Sequence, residues 1–208
     1  MMKSVVLAGF LVMMTMASLG HSLWDHDKSP QAVERWYKQV SHAKPTLTKL
    51  HFYLNNIVTR YPPASTPIAR AASTATSPTK FGLVTVLDAP LTLEPNPDSE
   101  VIGYAQGLFS MSSQEEMCTL MNVNFIFTAG EFAGSTITME GRNVVFGEIR
   151  EFPLVGGSGA FRLANGIGTA TTYMVNTTSG DDILDVHFVF YRYVLPDASA
   201  EYATEMKF

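Results

Sequence analysis

Leu50-His51-Phe52-Tyr53-Leu54-Asn55-Asn56-Ile57 is the stretch where the chain adopts a period of two. Leu50, Phe52, Leu54 and Asn56 fall on one face, and His51, Tyr53, Asn55 and Ile57 on the other, which is the signature of a β-strand. Similar short runs follow at regular spacing: Phe81 to Asp88, Val101 to Ser110, Met117 to Thr128, Ser135 to Met139, Val144 to Arg150, Gly168 to Val175 and Ile183 to Tyr193. Gly, Asp, Asn or Pro occupies nearly every gap, as hairpin turns require. No amphipathic helix separates the runs, so βαβ crossovers are excluded and an all-β antiparallel barrel or sandwich remains. In Ile183 to Tyr193 both faces are apolar or aromatic, Leu184, Val186, Phe188 and Phe190 against Ile183, Val189 and Tyr191. A strand with one face in water would not show this, so the pattern predicts a cover on the outside, such as another subunit.

Outward from these runs the signals weaken. Residues 21–48 form a lead segment with Trp24, Trp36 and Tyr37, interrupted by Pro30 and Pro45, with one short helix expected near Gln31 to Val40. Residues 1–20 read as a secretory signal: Lys3, an apolar run from Val5 to Met14, then Ala17, Ser18 and Gly20. Cleavage is expected after Gly20, with Ala17 as the competing site. The apolar run is shorter than the roughly 20 residues of a spanning helix, so the mature protein is expected to be soluble, with no membrane span. Residues 61–80, rich in Pro, Ser, Thr and Ala, read as a long extended loop, and residues 194–208 as a tail that Pro196 separates from the last run.

The chain has 208 residues, room for one domain plus short appendages. Apolar residues make up 46% and charged residues 16%, a balance that buries a core. The formal charge of -5 gives no field drawing the chain to phosphate backbones, which excludes nucleic acid as a first partner. Cys118 stands alone in an apolar run, so no intrachain disulfide forms and a buried, inert thiol is expected. The histidines are dispersed, and no metal-binding spacing occurs. Gly156-Gly157-Ser158-Gly159-Ala160 fails both the nucleophile-elbow and the dinucleotide patterns and reads as a turn whose glycines let two barrel segments approach closely. No cofactor is expected. Asn176-Thr177-Thr178 is an N-glycosylation sequon, usable at Asn176 if the chain is secreted.

Four ordered pieces carry a resemblance: Leu50-His51-Phe52-Tyr53-Leu54, Phe81-Gly82-Leu83-Val84-Thr85-Val86-Leu87-Asp88-Ala89-Pro90-Leu91-Thr92, Gly103-Tyr104-Ala105-Gln106-Gly107 and Val155-Gly156-Gly157-Ser158-Gly159-Ala160-Phe161. Together they resemble the plant dirigent proteins over residues 49–193. The resemblance implies an eight-stranded antiparallel β-barrel like that of allene oxide cyclase, secreted to the apoplast of the plant cell wall as a homo-oligomer, trimer or dimer. It also implies a pocket for phenolic small molecules. There two phenoxy radicals, commonly from coniferyl alcohol and made by a separate laccase or peroxidase, couple with one handedness to an optically active lignan. Such a protein has no independent catalytic activity and no cofactor, in keeping with the lack of a redox motif. About 1.4 kcal/mol between competing orientations already gives tenfold selectivity. Two alternatives stay open: a dehydratase-type member that closes a flavonoid ring through a quinone methide, and a non-catalytic cell-wall or sugar-binding barrel.

The resemblance also names pocket candidates. Asn56 stands where the family's pocket aspartate is expected, and Asn143, seven residues before Arg150, where pinoresinol-forming relatives have another. An amide can orient a phenol oxygen but is no general base near neutral pH. Arg150 matches the family arginine, and its guanidinium can face phenolate charge; a surface salt bridge with Glu148 or Glu151 is the competing reading. Phe109 keeps the stacking surface of a family tyrosine without the hydroxyl. Tyr104 replaces an arginine, and Asp88 keeps one acid of a familiar Asp-Asp-Pro, or simply caps a turn. The terminal cysteines of the pinoresinol-forming subgroup are absent, which aligns the chain with the unassigned paralogues.

Overall fold

The computed structural model describes residues 28–195. The expected signal segment with its cleavage sites, and the tail beyond Leu195, lie outside the described residues. The lead segment contains the expected helix, α1 (Pro30–Val40), started by the Ser29 side chain, which accepts from the Ala32 N–H at 3.2 Å, and by proline in the first turn. It touches the rest of the chain through Trp36, over which the Arg162 guanidinium lies at 5.5 Å, and Val40 is buried.

Nine antiparallel strands follow: β1 (Pro45–Asn56), β2 (Ser65–Arg70), β3 (Leu83–Thr92), β4 (Val101–Met111), β5 (Cys118–Phe127), β6 (Thr136–Val144), β7 (Arg150–Ser158), β8 (Asn165–Val175) and β9 (Asp182–Tyr193). They hydrogen-bond in the order β1-β9-β8-β7-β6-β5-β4-β3-β2, and β1 also pairs with β3 through Tyr53↔Thr92 and Leu54↔Leu91. That pairing closes an eight-stranded barrel. β2 adds no ninth stave: it runs along the same edge of β3, Ser65↔Leu87 to Arg70↔Leu83, and so prolongs the slot that β1 enters. Residues 57–64 bulge out between the two, pinned at the base by the Ala64 N–H donating to Ile57 O at 3.2 Å.

The structure moves several expected boundaries. β1 begins at Pro45, four residues before the expected barrel start, because Leu47 is exposed and the polar alternation is broken there. Within 61–80, read as a loop, β2 forms an edge whose residues are almost all exposed, with a bulge after Pro67; an edge strand with no buried face carries no alternation to read. Val144 to Arg150 is no strand. β6 ends at Val144, and 145–149 is a loop turned by the Gly147 N–H donating to Val144 O. Its apolar residues line a cavity rather than a sheet face. The glycine-rich turn instead ends a strand: β7 includes Gly157 and Ser158, and a 3-10 turn, Gly159–Phe161, follows.

Side chains alternate into the barrel as the period of two dictates. One end is filled: Phe52, Phe125, Phe127, Phe161, Phe188 and Phe190 are at most 4% exposed, with Phe125 and Phe188 edge-to-face at 4.8 Å and Phe161 and Phe190 at 5.2 Å. Glycines admit these rings; at Gly168 a Cβ would come within 2.8 Å of the Phe188 ring. Cys118 is free and buried, as expected. Among the described residues no helix is long and apolar enough to cross a membrane.

Candidate functional site

The other end of the barrel is hollow. A cavity of about 810 Å³ opens among the last residues of β1, β4, β6 and β8, the first of β5, β7 and β9, and the 145–149 loop at its rim. That volume lies within the range of small-molecule pockets. Leu54, Leu87, Phe109, Met111, Met117, Met121 and Leu184 make its wall mostly apolar, and the thioethers let that surface adapt to a flat guest.

Arg150, Asp182, Asn56 and Asn143 are among the polar residues that interrupt this wall. Arg150 opens β7 and is buried; its Nε donates to Ala170 O at 3.4 Å and an Nη to Thr172 Oγ1 at 2.9 Å, which fixes the guanidinium plane. It makes no salt bridge with Glu148 or Glu151, so the surface-pair reading gives way to a buried cation at the cavity. Burial pulls its pKa down, and the charge of Asp182 partly offsets this. Asp182, the first residue of β9, lies across the wall; burial pushes its carboxyl up from the ordinary aspartate value, against the Asn56 hydrogen bond and the Arg150 charge, which favour the ionised form, and with a further upward push from Asp181.

Asn56 closes β1 and donates from Nδ2 to Asp182 Oδ1 at 2.7 Å. Asn143 donates from Nδ2 to Thr119 Oγ1 at 3.2 Å. The amide oxygens of both are buried and accept nothing from the protein. Both side chains line the cavity, so each offers an acceptor that a guest hydroxyl can satisfy, and a buried acceptor left unpaired is costly.

The barrel thus brings Asn56, Phe109, Asn143 and Arg150 to one chamber. It does not bring Asp88 or Tyr104. Both are exposed on the outer face, where Asp88 accepts from Gln106 Nε2 at 3.1 Å and Tyr104 stands opposite Pro90 and Ile126. β3 and β4 alternate strictly here, so Leu87 and Ala89, Gly103 and Ala105 hold the inward positions and their neighbours must point out. Asn176 is exposed in the β8–β9 hairpin, where its side-chain oxygen accepts from the N–H groups of Thr178 and Ser179.

Asp182 escaped the sequence reading, which started the last strand one residue later. The signal was there: counting back by two from Phe188, Val186 and Leu184 reaches Asp182 on the inward face. Its neighbour Asp181 points the other way and ties the 57–64 bulge to the hairpin, accepting from Val58 N–H at 2.8 Å, Thr59 N–H at 3.0 Å and Thr59 Oγ1 at 2.7 Å.

Comparison with known proteins agrees with this architecture. Residues 47–191 match the family model described as dirigent-like protein. Dirigent protein 21 of Arabidopsis thaliana is 43% identical over 144 residues, 69% of this chain and 76% of that protein. Pterocarpan synthase 1 of Glycyrrhiza echinata is 40% identical over 147 residues, 70% of this chain and 78% of that one. The solved structure of the pterocarpan synthase dirigent protein GePTS1 superposes with a TM-score of 0.67 at 38% identity, covering 72% of this chain and 90% of that chain.

Proposed function

The chain belongs to the dirigent family, and on that premise we propose that it is a dehydratase-type member, closing a ring on a flavonoid-class phenol through a quinone methide. One observation carries this choice over radical coupling: the carboxyl absent from positions 56 and 143 is present at Asp182, held toward its protonated form and set in the same chamber as a buried arginine. The relatives named pterocarpan synthase support the same choice.

The chemistry follows from these groups. A phenol of the substrate loses its proton to solvent, and its electron pair expels a hydroxyl from the benzylic carbon. Asp182 gives its proton to that hydroxyl, which leaves as water, while Arg150 faces the oxygen that carries the developing charge. A second phenolic hydroxyl of the same molecule then adds to the exposed carbon; its proton returns to Asp182, and the first oxygen regains a proton from solvent. The net change is loss of one water. The amide oxygens of Asn56 and Asn143 accept hydrogen bonds from the guest's hydroxyls, and the apolar wall holds the two reacting atoms in one orientation.

Stereoselective coupling of phenylpropanoid radicals is the second reading, favoured by the two amides, which orient without moving protons. There an external laccase or peroxidase supplies the oxidation. In either case residues 1–20 point to secretion into the apoplast. The test is to incubate the purified protein with a 4-hydroxyisoflavan carrying free 7- and 2'-hydroxyls, without oxidant. Cyclised product that falls at least about 100-fold with Asp182→Asn supports ring closure, that being the usual worth of a positioned acid. No cyclisation, but one enantiomer in excess from coniferyl alcohol plus a one-electron oxidant, replaces it with the coupling reading.

A further inference from the structure

The outer face of the barrel carries a constellation that ring closure does not use. His51 on β1 and His187 on β9 are directly opposite in the register, and Asp185 lies two residues before His187, so strand alternation sets all three on the same outward face. The two imidazoles stack with centroids 4.2 Å apart and planes 14° from parallel. Each points its Nε2 at the same oxygen: Asp185 Oδ1 is 2.9 Å from His51 Nε2 and 2.9 Å from His187 Nε2. Among the described residues this is the group of three whose ligand atoms all lie within 4.8 Å of one another.

We propose that His51, His187 and Asp185 form a surface site for a divalent transition metal ion of the zinc and copper class. Two imidazole nitrogens and one carboxylate oxygen are the donor set such ions take, and hard ions such as Mg²⁺ prefer all-oxygen sites. Ligands of one tetrahedral zinc ion stand about 3.3 Å apart, given metal–ligand bonds near 2 Å, so small side-chain rotations convert the present contacts into coordination. The two contacts to Asp185 Oδ1 would be exchanged for metal bonds. The two imidazoles are about half exposed and Asp185 a quarter exposed, which leaves the remaining coordination positions to water. The sequence does not show the triad, because His51 is 134 residues from Asp185 in the chain and only the β1–β9 register brings it to the Asp185/His187 pair.

The site is separate from the cavity, so its test is independent of turnover. Chelator-stripped protein is titrated with Zn²⁺ by isothermal calorimetry beside His51→Gln, Asp185→Asn and the double variant His51→Gln/His187→Gln, with circular dichroism to verify that each is folded. One equivalent of Zn²⁺ should bind the unaltered chain, and each single variant should weaken it at least tenfold, the lower bound for losing even an outer-shell partner. Equal binding by the double variant, or no binding by the unaltered chain, overturns the proposal. Cu²⁺ paramagnetic resonance on the unaltered protein gives a second readout that no misfolded variant can obscure. Superhyperfine splitting from two nitrogens is expected, and its absence counts against the site.

Discussion

Two neighbouring aspartates show how position decides chemistry. The Asp181 carboxylate accepts three hydrogen bonds, and those from Thr59 lead in holding it below the ordinary range, whereas burial in the cavity wall holds Asp182 above it. The sign of the resulting pH dependence is fixed. The folded chain binds the Asp182 proton more tightly than the unfolded chain, so stability from this group is fully present below the ordinary aspartate pKa of about 3.9 and is lost as pH rises from there through the folded value. Thermal melts from acid to neutral pH check this: the melting temperature of the unaltered protein minus that of Asp182→Asn should decrease as pH increases. Asn56→Asp restores the family's acid at a position 2.7 Å from Asp182 Oδ1. Two carboxyls at that distance share a proton, so the alkaline limb of the cyclisation rate, where the proton donor is lost, should move to higher pH; an unmoved limb would remove Asp182 as the proton donor.

At the scale of elements, close approach between β6, β7 and the turn after it depends on glycine. A Cβ on Gly157 would lie 2.3 Å from Thr136 O and 2.8 Å from both Phe161 Cβ and Phe161 O. All three atoms belong to backbone or its nearest carbon and cannot swing aside, so β7 must shift. Gly157→Ala should cost about 2–3 kcal/mol, read from the urea midpoint, as overpacked cores do. The same passage explains why its sequence looked like a turn: the glycines mark where the strand ends against Phe161, and a strand that exists to let an aromatic ring approach carries no side-chain alternation. The 145–149 loop is the opposite case. Val145, Phe146 and Ile149 gave it a strand's composition, while their role is to line the mouth of a pocket.

At the scale of the whole molecule, closure through β1–β3 separates an inside from an outside, and the outside is not uniformly polar. Leu47 and Tyr191 are register partners, Val189 and Ile167 are another pair, and all four are between 43% and 53% exposed. A contiguous apolar strip of this kind on β1, β9 and β8 is what subunit contacts cover. Sedimentation velocity at micromolar concentration should give a multiple of the protomer mass, and Val189→Glu should shift it toward the protomer while leaving the circular dichroism spectrum unchanged. A single protomer species for the unaltered chain would refute the strip as a subunit contact.

The sequence by itself determined the all-β class, the antiparallel barrel by its resemblance, and the inward face of β1, because a period of two is local and survives without knowledge of neighbours. It also placed Asn56, Phe109, Asn143 and Arg150 in one pocket by analogy, and the cavity lines all four. Tertiary structure alone decided the rest. That Asp88 and Tyr104 face outward follows from the register of β3 and β4, and one residue of slip would reverse it. That Asp182 is an acid of the chamber, and that His51 meets His187 and Asp185, depends on pairing strands from opposite ends of the chain. Burial, charge and hydrogen bonding between residues more than a hundred positions apart are properties of that pairing, and no local pattern encodes them.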